Sequence, residues 1–478
     1  MVSHLFFYQL VLIALVWLFL VLHSAGPCAR AKRPRPAEPG PLPPKRTRSK
    51  EPTPFVGLTQ RPPGALCERE APQPPLPPPM PPAAMPPPHR RPRTVDTSRH
   101  FCPHAGCASR GWLGWGNLRA NGHPSGGPWR QFPCTACAGY FLETHGTLFH
   151  GKQAAVELIV RVLAGLAEGL GIRATARGFE VDPNPVRRWL GAAAEQLCAF
   201  SAYFLCDLHV EQLQLDELYA VLRELKAGEI SEDAAITRLE RSPSWVWTAM
   251  DPTSKLLVVV EVGCRTLAMA QRVVHQVTRV LAPGWVPLFL TDGLKDYATA
   301  FLTQFGHWMQ PQRRQDKGPR PKPRWLPLPA LLYGQVGKSY RRRRRVGVKH
   351  RVVFGTQLAI GQVLAACGWT INTACVERLN LDIRQCVAAI GRRVNTLCQG
   401  ETGLRDQLAL FQVYHNFVLP HASLRQPLLV PEATHGRSSA KGWRPWTPAM
   451  AAGLTDHVWS LREVRLYRVP PWPQLQVE

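Results

Sequence analysis

Acidic side chains are scarce in this sequence. Against 58 Lys and Arg stand 33 Asp and Glu, a formal charge of +25 over 478 residues and a pI near 10.1. An excess of that size calls for a polyanionic partner, nucleic acid or anionic membrane, and composition alone does not choose between them. Cysteine is present but not organised for disulfides. The 13 cysteines are odd in number, and outside two close pairs they are scattered, which argues against a disulfide framework and for a reducing compartment. No internal repeat is present. No Lys or Arg precedes the apolar run LFFYQLVLIALVWLFLVL, Leu5 to Leu22, so it is a poor secretory signal. No pattern of catalytic Arg and His before a Tyr is seen, so a tyrosine recombinase finds no support.

What is present divides the chain. Residues 1–26 hold the apolar run, about the minimum length for a membrane span. Arg30, Lys32, Arg33 and Arg35 follow it, which would leave the remainder in the cytoplasm. The run is a candidate membrane anchor, and the competing reading is a start placed too far upstream. Residues 27–98 are rich in Pro and Arg, as in PPLPPPMPPAAMPPPHRRPR, and are expected to be an extended, disordered linker. Composition changes at His100. Hydrophobic residues make up 45% of the chain, enough for two or three folded domains.

Cys102 and Cys107, then Cys134 and Cys137, are two pairs separated by a loop of Gly, Trp and Arg over residues 99–150. Four thiolates so arranged suit tetrahedral Zn²⁺ in a zinc-ribbon-like element, with His104 able to replace one ligand. Over residues 151–200, AAVELIVRVLAGLAEGL has helical periodicity. IRATARGFEVDPNPVRRWL then reads as a short helix, a turn at Gly178-Phe179, and a second helix capped by Asp182 with Pro183 in its first turn. That is a candidate helix-turn-helix, in which Arg187 and Arg188 can reach phosphates or guanine edges. Any two amphipathic helices look similar, so a purely structural pair is the competing reading.

From Asp207 the pattern turns to strands, HVEQLQLDELY, SWVWTAM and KLLVVVEVG, then a helix, TLAMAQRVVHQVTRVLA, then the strand WVPLFLTDG. An α/β layer structure is expected. Asp216 and Asp292 each end a strand pattern. Glu377 lies on a helical stretch, NTACVERLNLDIRQ, with Arg384 two turns later on the same face. Three converging carboxylates can hold two divalent cations, Mg²⁺ or Mn²⁺, for phosphodiester chemistry, and Arg384 can hold a DNA phosphate. A salt bridge between Glu377 and Arg384 is the simpler alternative.

The blocks QLDELY (214–219), SWVWTAMD (244–251), TDGLKDY (291–297) and VERLNLDIRQCVAAIGRRV (376–394) resemble the insertion-sequence-one family of transposases. The resemblance covers roughly residues 100–430, and YHNFVLPHASLR and TPAMAAGL resemble the tail of many such enzymes. It implies an RNase H-like catalytic domain, a mixed sheet with flanking helices, over residues 205–400. Asp216, Asp292 and Glu377 would be the DDE triad and Arg384 the basic residue beside it. The fold class implied is multidomain α/β: zinc ribbon, helix-turn-helix, catalytic domain, then a tail over 401–478. Double-stranded DNA is the implied partner, both terminal inverted repeats and target, bound by a homo-oligomer. The location implied is cytoplasmic and nucleoid-associated, with the apolar run as a candidate membrane anchor. The sequence departs from short family members in the separation of Asp292 and Glu377, which are 85 positions apart. Insertions are expected at about 220–243 and 308–350, the second carrying Arg341, Arg342, Arg343, Arg344 and Arg345 as DNA contacts. Two other readings compete: a non-catalytic DNA-binding regulator derived from a transposase, and a membrane-tethered adaptor using the Pro-rich segment.

Overall fold

A computed structural model describes residues 95–220, 244–312, 321–341, 344–390, 400–432 and 441–471, with backbone alone at 339–341, 344, 345 and 432. The apolar run, most of the linker, the first expected insertion, Arg342 and Arg343 lie outside the described residues. Among the described residues no helix is long and apolar enough to cross a membrane.

The elements follow in order: β1 (Gln131–Pro133), β2 (Tyr140–Leu142), α1 (Val156–Ala167), α2 (Ile172–Gly178), α3 (Pro183–Phe204), β3 (Gln212–Tyr219), β4 (Ser244–Met250) and β5 (Leu257–Cys264). Then come α4 (Leu267–Val280), β6 (Leu288–Thr291), α5 (Asp296–Gln304), β7 (Gly306–Met309), β8 (Arg324–Pro327), β9 (Leu332–Arg341) and β10 (Arg344–Phe354). The chain continues with α6 (Gln357–Cys367), α7 (Ala374–Cys386), α8 (Glu401–Val413), β11 (Gln426–Glu432), β12 (Lys441–Arg444), α9 (Pro448–Ala451) and α10 (Leu461–Leu466).

Six strands form one mixed sheet in the order β10-β9-β6-β3-β4-β5. β3, β4 and β5 run antiparallel in sequence, β6 lies parallel to β3, β9 parallel to β6, and β10 antiparallel to β9. Each parallel step needs a crossover, which α4 and α5 supply. The two-residue period of the strands sorts their side chains onto two covered faces. Leu213, Leu215, Trp247, Ala249, Phe289 and Tyr333 pack with Val273, Val274 and Phe301 of α4 and α5. On the other face, Val246, Leu257 and Val262 pack with Val376, Leu379 and Ile383 of α7 and with Leu404 and Leu408 of α8. Leu288 and Leu290 meet Ile360 and Leu364 of α6 there. Burial on both faces explains why these strands read as near-continuous apolar runs.

Asp182 caps α3, accepting from Asn184 N at 2.8 Å, and Pro183 takes its first turn. Val186, Trp189 and Leu190 are buried, whereas Arg187 and Arg188 are exposed. The three helices are not a self-contained module. Ile159, Leu163, Leu190 and Leu197 belong to the same apolar cluster as the first face of the sheet. Two other expectations change. The segment 308–350 is not wholly peripheral, because it contains β9, whose Tyr333 and Val336 are buried in the sheet. The residues from 401 onward are not an appended tail, since α8 buries Leu404, Leu408, Leu410 and Phe411.

Candidate functional site

Two clusters of metal-ligating side chains stand out among the described residues. The first is Cys102, Cys107, Cys134 and Cys137, whose sulfurs all lie within 4.8 Å of one another. The β1–β2 hairpin presents Cys134 and Cys137 in its turn, where Cys134 N donates to Gly139 O at 2.9 Å. The other pair sits in a tight loop closed by Cys107 N to His104 O and Gly111 N to Cys102 O, both 3.1 Å. Cys102–Cys137 and Cys107–Cys134 sulfur separations are 3.7 Å. A tetrahedron with Zn–S bonds of about 2.3 Å has edges of about 3.8 Å, which those two separations match, so the cluster could hold zinc. Burial pushes the Cys102 thiol well up and that of Cys107 to about 11. Burial also opposes ionisation of Cys134, but donation by the Cys137 backbone and Asn117 outweighs it, and its pKa falls. A dication at the centre would relieve the cost of ionising the set. His104 stands beside the thiols, Nδ1 at 3.5 Å from Cys102 Sγ and 3.4 Å from Cys137 Sγ. Its ring occupies the space that a Cβ on Gly139 would need, 2.3 Å away.

The second cluster is acidic: Asp216, Glu217 and Asp292 place carboxylate oxygens within 4.8 Å of one another. β3 and β6 are parallel neighbours whose last pair is Leu215 and Thr291, so Asp216 and Asp292, the next residue of each, stand side by side. Asp292 follows the end of β6 as expected, but Asp216 lies within β3, which runs on to Tyr219 because it also pairs with β4. Burial first, then the Asp292 charge, raises Asp216 to about 7. The same causes in the same order raise Glu217 to about 7, against the pull of Tyr297 and Arg265. Crowded, desolvated carboxylates that resist ionising together are what a divalent cation neutralises.

Glu217 was not foreseen as a member. Alternation along β3 puts Asp216 on the α7 face and Glu217 on the α4 face. There Arg265 donates to Glu217 Oε2 at 3.2 and 3.0 Å. The adjacent acids in LDEL were the only sequence signal.

Glu377 lies outside that group. Buried Gln214 pins the start of α7 to β3, donating to Asn372 O at 3.0 Å and accepting from Val376 N at 3.1 Å. One turn past Glu377, Asn380 donates to Asp216 Oδ2 at 2.8 Å, so α7 does lie against the acidic cluster. The Glu377 carboxylate is held by Lys338, which ion-pairs with Oε1, and by Thr373, whose hydroxyl donates to the same oxygen at 2.6 Å. Asn380 and Lys338 were likewise not foreseen. Arg384 is half-buried in the last turn of α7, about 10 Å along the axis from Glu377. Arg341, Arg344 and Arg345 lie where β9 meets β10, with Arg341 registered opposite Arg344. No protein-family model matches this chain, and no curated protein matches it significantly.

Proposed function

We infer that the protein is a DDE transposase of an insertion sequence, which binds terminal inverted repeats and cuts and joins DNA strands. The observation that carries this reading is the placement of Asp216 and Asp292 side by side on the adjacent parallel strands β3 and β6, where their pairing ends, under a helix that carries Glu377. Three antiparallel strands followed by two parallel ones joined through helices is also the arrangement expected of an RNase H-like core.

In this reading Asp216, Asp292 and Glu377 hold Mg²⁺ or Mn²⁺. The chemistry such a metal pair supplies is activation of a hydroxyl and stabilisation of the leaving oxygen in phosphodiester transfer. The chain's own residues do the rest. Asn380 fixes the Asp216 carboxylate by its 2.8 Å hydrogen bond. Gln214 fixes the register of α7 against β3, so the helix cannot slide without breaking two hydrogen bonds, one of them buried. The four-cysteine element, with zinc, and the exposed Arg187 and Arg188 of α3 are assigned to DNA ends.

Charge supports the choice of DNA. From Lys317 to Val376 the chain holds twelve Lys and Arg and no Asp or Glu. Much of that charge sits on β9 and β10, which continue as a two-stranded ribbon beyond the last β6 pair, Thr291–Gln335. Six further residues of β9 reach about 20 Å past the acidic cluster's end of the sheet. A two-stranded ribbon fits the major groove, and its cations suit phosphates.

The test is strand cleavage on duplexes carrying the inverted repeats that flank the reading frame. Metal-dependent nicking at the repeat boundary, lost in Asp216→Asn, is expected. Sequence-specific binding with no cleavage under Mg²⁺ or Mn²⁺ would instead establish a non-catalytic regulator.

A further inference from the structure

Glu377 stands outside the cluster of Asp216, Glu217 and Asp292, and its carboxylate is engaged by a cation from another strand of the sheet, Lys338. Lys338 lies on β9, three residues beyond the last pair that β9 makes with β6. It shares strand parity with Gly334 and Val336, which places it on the α7 face, the face of Asp216. Its side chain is 18% exposed and that of Glu377 is 44% exposed. The Lys338 charge also acts on Asp216, which it pulls toward the ionised form. One ammonium thus serves two carboxylates that the proposed function assigns to metal.

We propose that Lys338 is a positioning residue, an internal counter-ion that holds Glu377 apart from Asp216 and Asp292 until a divalent cation displaces it. This rests on the reading of Glu377 as a metal ligand. Gln214 and Asn380 hold α7 against β3, and release would exchange the partners of the Glu377 side chain, Lys338 and the Thr373 hydroxyl. Lys338 also belongs to the basic ribbon, registered opposite Val348. A duplex that draws the ribbon toward its phosphates would draw Lys338 from Glu377, so substrate would favour metal entry.

The experiment uses the full-length, zinc-loaded protein. Free Mn²⁺ is followed by its electron paramagnetic resonance signal during titration, with and without a duplex carrying the terminal repeat. Lys338→Met should bind Mn²⁺ about fivefold more tightly than wild type without DNA, the worth of a half-exposed ion pair that no longer opposes the metal. Lys338→Arg should restore the wild-type affinity. Duplex should tighten binding in wild type and have little further effect in Lys338→Met. Should Lys338→Met fail to fold, Lys338→Gln makes the same test. Unchanged or weaker binding in the uncharged variant, while Asp216→Asn abolishes binding, would overturn the counter-ion role and leave the metal site standing. Mn²⁺ binding unaffected by Asp216→Asn would overturn the reading of the acidic site, and the proposal with it.

Discussion

Asp216→Asn should stabilise the protein at alkaline pH when no divalent metal is added, and the size of the effect follows from the site. Asp216 has its carboxyl raised from an ordinary 3.8 to about 7, by burial first and Asp292 second. For an acid raised in the folded state, stability is fully present below the unfolded pKa and is lost as pH rises through the folded one. Linkage over those two values makes this group cost about 3 kcal/mol of stability between pH 5 and pH 8. Asn cannot ionise and escapes that cost. It loses something as well. Asp216 accepts from Glu217 N at 2.9 Å and from Asn380 Nδ2 at 2.8 Å, and an amide offers one acceptor oxygen where the carboxylate offers two. A donor facing a donor costs about 1–3 kcal/mol at any pH. The variant should therefore lie within about 1 kcal/mol of wild type at pH 5 and be about 1–3 kcal/mol more stable at pH 8, a relative swing of about 3 kcal/mol. At about 2 cal/mol/K per residue, a folded body of this size converts that to roughly 4 °C in melting temperature. Scanning calorimetry at the two pH values measures it. Added Mg²⁺ should reverse the order at pH 8, because only wild type keeps the ligand. An equal deficit at both pH values would refute the picture of a crowded, costly carboxylate cluster.

The purified protein should contain one zinc per chain by metal analysis, and Cys134→Ser should lose it, unfold residues 100–142 and abolish specific end binding, since structural zinc contributes roughly 10 kcal/mol or more. Replacing Arg341 to Arg345 by Ser should flatten the log–log salt dependence of DNA binding by about 0.9 for each phosphate no longer neutralised, and an unchanged slope would make the run a solvated loop. Asp292→Asn and Glu377→Gln should each stop strand cleavage while leaving duplex binding intact in a gel-shift assay. Arg384→Ala should slow cleavage less than either, and an equal loss would make Arg384 as necessary as the carboxylates.

What could be read from the sequence was whatever depends on local pattern. Cysteine spacing needs only a hairpin turn and a tight loop, and the four sulfurs do meet. Asp292 follows an apolar run and stands at the end of β6, whereas Asp216, read as a strand end, lies inside β3, whose pairing with β4 carries it on to Tyr219. The hidden parts depend on distant pairing. β9 carries Gly334 and Gln335 and runs into five arginines, so its sequence resembles a basic loop, and only its place beside β6 makes it a strand. Glu217 belongs to the other face by alternation, yet its carboxylate comes within 4.8 Å of those of Asp216 and Asp292, which no local pattern announces. Lys338 lies 39 residues from Glu377, and no spacing rule links them. The share of the core held by α3 and α8 was concealed for the same reason: each buries a stripe against an element far away in sequence.

That shared core bears on how DNA ends would be delivered to the acidic cluster. Arg187 and Arg188 stand at one end of α3, a helix about 33 Å long. At its other end Phe200 packs edge-on against Phe417 and Trp459. Gln196 donates to the carbonyls of Arg465 and Tyr467 at 2.9 and 3.0 Å, tying α3 to the end of α10 and the segment that follows. Arg468 carries that segment on to the four-cysteine element. Its guanidinium lies 4.2 Å from the Phe101 ring and 5.0 Å from that of Phe141, and donates to Phe101 O at 3.1 Å. Phe101 adjoins Cys102, and Phe141 lies on β2. Arg468 is thus a rivet between the cysteine element and the helices that pack on the sheet. Two cation–π contacts at about 1 kcal/mol each, plus a buried carbonyl left without a donor, put the cost of Arg468→Met at roughly 2–4 kcal/mol. The zinc ligands are untouched, so the metal should remain bound. Amide hydrogen exchange should then rise across residues 100–142 while the strands β3 and β6 stay protected. Cleavage should fall although the acidic cluster is intact, because the ends are no longer held in one frame with it. Exchange in the cysteine element indistinguishable from wild type would mean that other contacts fix the element to the body, and that Arg468 is only buried there.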